Sequence, residues 1–125
     1  MSTAGWVLLV DDHDDSRELL SEYLAMSGFS VGDCASGEAA LALVRDRGAP
    51  AVVVTDLSLG EMSGVDLARK LQSEPPTAGI PILALTGHAS YSNADRLFSA
   101  VLIKPVVLGD LTRAIERAIA TDHRA

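Results

Sequence analysis

The chain has 125 residues, 48% of them hydrophobic and 22% charged, with a formal net charge of −7, which suits one domain with a sizeable core: residues 1–125, with a core of about 5–121 and a short tail at 122–125. No stripe of Lys and Arg stands out against that acidic balance, so nucleic acid is not an expected partner. No apolar run nears the ~20 residues of a membrane span and Met1–Trp6 lacks the basic start of a signal peptide, so no membrane partner is expected and the default address is cytoplasmic.

Short apolar runs alternate with longer segments whose apolar residues recur at helical spacing. The predicted strands are Trp6–Val10, Phe29–Cys34, Ala51–Thr55, Ile80–Leu85 and Val101–Ile103. All but the second are nearly continuously apolar, the pattern of strands covered on both faces. Leu19, Leu20, Tyr23 and Leu24 mark a first helix that starts near Asp15, where Glu18 suits a capping box, and stops at Gly28. A second follows Ser36, turns Ala40, Leu41 and Val44 inward, and ends at Gly48. Val65, Ala68 and Leu71 give a third, and Ser90–Ser99 is a weak helical stretch with only Leu97 and Phe98 as large inward candidates. Leu108, Leu111, Ile115, Ala118 and Ile119 give the last.

Strands alternating with helices imply parallel βαβ units, whose right-handed crossovers bring every strand's C-terminal end to one edge of the sheet. The residues just after the strands are Asp11 and Asp12, then Asp56, then Thr86, then Lys104-Pro105. In a doubly wound five-stranded parallel sheet of order 2-1-3-4-5, the first and third strands are neighbours at the switch point where ligands bind. Asp11, Asp12 and Asp56 then face one cavity, a costly gathering of like charge unless a cation offsets it. Mg2+ fits best, since it takes hard oxygen ligands and keeps water sites that a phosphoryl oxygen can fill. A carboxylate nucleophile beside Mg2+ is also the chemistry of an aspartyl phosphate. The Lys104 ammonium and the Thr86 hydroxyl can each bond a phosphoryl oxygen.

Five segments, VLLVDD (Val7–Asp12), SRELLSEYL (Ser16–Leu24), VVVTDLSLGEMSG (Val52–Gly64), PILALTG (Pro81–Gly87) and IKP (Ile103–Pro105), together make the chain resemble, over essentially its whole length, the CheY-like receiver domains of two-component response regulators. The resemblance implies a flavodoxin-like receiver fold and a Mg2+-dependent phosphorelay in which Asp56 takes the phosphoryl group from a histidine kinase or histidine phosphotransfer protein. It implies that Asp12 and Asp56 ligate Mg2+ directly with the backbone carbonyl of Ser58, and that Asp11 acts through water. Thr86 would swing toward the phosphoryl group, Lys104 would bond it, and a cis Lys104–Pro105 peptide would aim the lysine. Ser58 and His88 would tune the lifetime of the phosphate. Such a domain signals through protein contacts and catalyses only its own phosphorylation and dephosphorylation.

Three departures from the family concern output. The Thr86–Lys104 stretch is shorter than in relatives by about one helical turn, so the fourth helix region is shortened or the following loop is lost. Val101 stands where an inward-rotating aromatic residue is common, and Gly60 stands where many relatives have Pro, which loosens the loop. The expected molecule is a stand-alone receiver or one from a hybrid kinase. Its competitors are a degenerate receiver that binds without phosphorylation, a phosphohydrolase with Asp56 as transient nucleophile, for which Ser58 stands where a second carboxylate is wanted, and a flavin carrier, which Asp11–Asp15 disfavours. His13 lies beside the acidic pair, where it could influence metal binding, but reads first as a solvent-facing loop residue; Cys34 reads as a small apolar filler, Trp6 and Met62 as packing residues, and His123 as part of the tail.

Overall fold

A computed structural model describes residues 5–88, 90–93 and 96–121, so the tail with His123 lies outside the described residues. The elements run β1 (Val7–Val10), α1 (Asp14–Met26), β2 (Val31–Cys34), α2 (Gly37–Arg47), β3 (Val52–Asp56), α3 (Gly64–Gln72), β4 (Ile82–Thr86), β5 (Ala100–Ile103) and α4 (Leu108–Thr121). The strands form one sheet in the order β2-β1-β3-β4-β5, with every adjacent pair parallel.

Side chains of a strand alternate between faces, and here both faces are apolar. Leu8, Val10, Val53, Ile82 and Ala84 pack with Ala40 of α2 and Leu67, Ala68 and Leu71 of α3. Val7, Leu9, Val52, Val54, Leu83 and Leu85 pack with Leu20 and Leu24 of α1 and with Leu111, Ile115 and Ala118 of α4. This double cover is why β1, β3 and β4 read as unbroken apolar runs. Trp6 and Met62 join the first cluster as expected, and the Arg47 guanidinium lies 4.1 Å from the Trp6 ring centre. Ile119 is exposed, outside the packed stripe of α4.

Two helix starts follow from local hydrogen bonding. Ser36 caps α2, its side chain accepting from the Ala39 N–H at 3.0 Å, and α2 ends at Gly48 with φ of 89°. A reciprocal capping box opens α3: Asp66 N–H donates to Ser63 Oγ, and Ser63 N–H to Asp66 Oδ2. The capping box expected at Asp15 and Glu18 does not form. Instead α1 begins at Asp14 with His13 at its N-cap and no side-chain cap, while Arg17 draws Asp14 into an ion pair at 2.8 Å. Asp14 and Asp15 still place negative charge at the positive end of the helix dipole.

No helix forms among the described residues of the Ser90–Ser99 stretch, which corrects that expectation. Its inward residues are as foreseen, since Leu97 and Phe98 are buried, but they are adjacent and cannot make a helical stripe. Other contacts hold the link. The Asn93 amide bonds Phe98 in both directions, donating to its carbonyl at 2.8 Å and accepting from its N–H at 3.2 Å. Tyr91 packs edge-on against Phe98 with ring centres 6.1 Å apart, and Gln72 donates to the Leu97 carbonyl. Arg96 adopts a φ of 56°. Asn93→Ala removes both bonds of the staple and should lower unfolding stability by about 1–3 kcal/mol in urea denaturation; a change below a few tenths would show that the staple carries no load.

Candidate functional site

The parallel topology delivers the predicted residues to one edge. Asp11 follows β1, Asp56 closes β3, Thr86 closes β4 and Lys104 follows β5. Main-chain bonds extend the ladder past the strands, with Asp11 N–H on the Cys34 carbonyl at 3.1 Å, Leu57 N–H on Leu85 at 3.0 Å and Lys104 N–H on Thr86 at 2.8 Å. The functional side chains therefore start from fixed backbone. Gly64 tightens the edge further. Its N–H donates to the Leu57 carbonyl at 2.9 Å, and a Cβ there would overlap the Asp56 carbonyl oxygen and sit 2.8 Å from Leu57 Cα.

Asp11, Asp12, His13 and Asp56 each offer a ligand atom, and these four atoms lie within 4.8 Å of one another. Asp11 and Asp56 are buried and Asp12 is exposed. Lys104 Nζ is 2.9 Å from Asp56 Oδ1, an ion pair by distance without the alignment of a hydrogen bond. The Lys104–Pro105 bond is cis. Burial above all, together with the neighbouring Asp11 carboxylate, pushes Asp56 up to about 6 against the pull of Lys104. Burial also raises Asp11, but the Ser16 hydroxyl, the His13 N–H, Asp56 and Lys104 outweigh it and hold that carboxyl below its usual value. The two neighbours are thus pushed apart, Asp11 ionised and Asp56 reluctant.

The donors suit a hard divalent cation. They include three carboxylates, and Asp11 Oδ2 is buried with no hydrogen-bond partner, a position that costs free energy unless a positive group meets it. Arg17 meets the Asp11 main chain instead, donating to its carbonyl at 2.8 Å.

Thr86 is buried at the rim, and its Oγ1 accepts from the His88 N–H at 3.0 Å. Ser58 and His88 are exposed on the loops after β3 and β4. His13 has a solvent-exposed side chain as expected, and its Nδ1 lies 3.2 Å from Asp12 Oδ1, which places it in the acidic group. The sequence signal was adjacency to the Asp11-Asp12 pair. Cys34 is partly buried and its thiol is raised to about 11, chiefly by burial, which fits an inert filler. No helix among the described residues is long and apolar enough to cross a membrane.

A parallel α/β sheet with clustered carboxylates and a lysine at its carboxyl edge defines a receiver-type domain. A family model for the response regulator receiver domain matches residues 7–116, and the chain belongs to that family. It is 37% identical over 116 residues to the transcriptional regulatory protein FixJ of Rhizobium meliloti, covering 90% of this chain and 55% of FixJ. Over 115 residues it is 30% identical to an uncharacterized 14.6 kDa protein of Leptolyngbya boryana, covering 89% of this chain and 87% of that one. Among solved structures, a sensor protein from Polaromonas sp. JS666 superposes with a TM-score of 0.88 at 28% identity, covering 97% of this chain and all of the other. The chemotaxis response regulator CheY4 of Vibrio cholerae gives 0.82 at 25% identity, over 93% of this chain and 99% of CheY4. The chain spans 33% of TcrX of Mycobacterium tuberculosis and 26% of AtoC of Escherichia coli.

The raised Asp56 carboxyl has a measurable consequence. A group that titrates near 6 when folded and at 3.8 when free supports the fold below its unfolded value, and that support is lost as pH rises through the folded value. In chelator-treated protein, Asp56→Asn should therefore stabilise the fold more at about pH 8 than at about pH 4.5, a difference on the order of 1–3 kcal/mol in urea unfolding at the two pH values. An equal effect at both pH values would contradict the ordering of the two carboxyls.

Proposed function

We propose that this receiver domain accepts a phosphoryl group on Asp56 in a Mg2+-dependent reaction with a histidine kinase or histidine phosphotransfer protein, and signals through protein contacts. The observation that carries this reading is the Asp56 carboxylate, buried at the centre of the strand edge, grouped with Asp11 and Asp12 and paired with Lys104 at 2.9 Å. Asp12, Asp56 and the Ser58 carbonyl would hold the ion, with Asp11 acting through water. When bound, Mg2+ supplies charge neutralisation that lets a carboxylate approach an anionic donor.

The chain's own groups account for the rest. An Asp56 oxygen attacks phosphorus, the P–N bond of the donor phosphohistidine breaks, and its electron pair stays on the imidazole nitrogen. The Lys104 ammonium is already at Asp56, placed to exchange a carboxylate oxygen for a phosphoryl oxygen. Thr86 Oγ1 uses an acceptor lone pair on the His88 N–H, which leaves its own hydrogen free to donate to the phosphoryl group. Burial of Asp56 limits water's access to the mixed anhydride, and the exposed Ser58 and His88, two residues beyond Asp56 and Thr86, would tune that access. Related chains carry such a domain within longer proteins of two kinds: FixJ is a transcriptional regulatory protein, while BvgS of Bordetella pertussis, 34% identical over 123 residues, is a virulence sensor protein.

Incubation with a small acyl phosphate and Mg2+, followed by intact-mass analysis, should add one phosphate to the wild type and none to Asp56→Asn or to chelator-treated protein. Lys104→Ala should slow the transfer by roughly tenfold to a thousandfold. A wild type that binds Mg2+ yet takes no phosphate would instead be a phosphorylation-independent binding module. Release of many equivalents of phosphate per chain would make it a phosphohydrolase.

A further inference from the structure

His13 is the member of the acidic group that the proposed chemistry does not use. It sits between β1 and α1, and two contacts bring it to the carboxylates. Its backbone N–H donates to Asp11 Oδ1 at 3.0 Å, and its ring Nδ1 lies 3.2 Å from Asp12 Oδ1 and 3.8 Å from Asp11 Oδ1. The ring is 74% exposed, so burial does not hold it there. Independently, the buried Asp11 Oδ2 lacks any hydrogen-bond partner, which marks the pocket as one that receives a positive group.

We propose that His13 Nδ1 is a cation ligand of this pocket, and that it gives the pocket an affinity for borderline divalent ions such as Ni2+, Co2+ and Zn2+ that oxygen donors alone would not supply. The inference rests on the cation-pocket reading of Asp11, Asp12 and Asp56. Ligand atoms about 2.1 Å from an octahedral ion stand ~3 Å apart when adjacent and ~4 Å apart when opposite. The 3.2 Å between His13 Nδ1 and Asp12 Oδ1, the directly binding carboxylate, is close to the adjacent spacing. Imidazole nitrogen favours the later first-row metals and adds little for Mg2+, which prefers oxygen and water. Removal of His13 should therefore act selectively among metals.

A plain ion pair between His13 and Asp12 has a different signature. Removing a positive ring would free Asp12 and leave every cation bound equally well or more tightly. The two accounts therefore predict opposite directions for Ni2+.

The test is calorimetric titration of the full, untagged chain with Mg2+ and, separately, Ni2+, for wild type, His13→Ala, His13→Gln and Asp56→Asn. Ni2+ affinity should fall about tenfold or more in both His13 variants while Mg2+ affinity stays within about threefold, and Asp56→Asn should weaken both ions. In electron paramagnetic resonance of the Cu2+-loaded protein, the nitrogen coupling of one imidazole should vanish in His13→Ala and persist in His88→Ala. Unchanged or tighter Ni2+ binding in the His13 variants, or a nitrogen signal that survives them, overturns the proposal and leaves the Mg2+ reading standing. Failure of the wild type to bind either ion overturns both.

Discussion

The structure turns on holding like charges together at the end of a buried sheet. Asp11 and Asp56 project from β1 and β3, which are hydrogen-bonded neighbours in the centre of the sheet, so the backbone fixes their separation. Two apolar layers behind them keep that backbone rigid and exclude water. Left alone, such a pair would repel. Here the tension is divided unequally: hydrogen bonds hold the Asp11 carboxyl low despite its burial, while burial holds that of Asp56 up against the pull of Lys104. The reluctance of Asp56 and its approach to the ammonium have one cause, removal of a charge from water beside another charge of the same sign.

Neighbouring residues serve that arrangement. Arg17 bonds the Asp11 carbonyl and pairs with Asp14, with Asp33 of β2 3.9 Å away, so one guanidinium ties the acidic loop to α1 and to the adjoining strand. Gly64 lets α3 begin against the end of β3, where any side chain would displace the carbonyl of Asp56. The Ser63–Asp66 capping box fixes where that helix starts.

Much of this was legible in the sequence because it depends on period and order. Continuous apolar runs identified strands covered on both faces, helical spacing identified four helices, and alternation set a parallel sheet whose carboxyl edge collects Asp11, Asp12, Asp56, Thr86 and Lys104. Local chemistry was harder to read. A capping box at Asp15 and Glu18 satisfies the pattern, but Arg17 claims Asp14 and the helix begins there without a side-chain cap. The Ser90–Ser99 stretch has its inward residues side by side, and no periodicity rule foresees that an Asn93 staple and a Tyr91–Phe98 contact replace a helix. His13 was legible as an exposed loop residue beside the acidic pair, but adjacency does not foretell its backbone bond to Asp11 or the ring's approach to Asp12.

The link between β4 and β5 matters for recognition as well as for folding. Helices dock by setting ridges of side chains, repeated every three or four residues, into the grooves of a partner. The described part of this link has no such repeat; it is held by single contacts, Tyr91 against Phe98 and the Asn93 amide on the Phe98 backbone, with a left-handed residue at Arg96. Where the described residues of the link lie, the chain has an irregular outline rather than a helical surface.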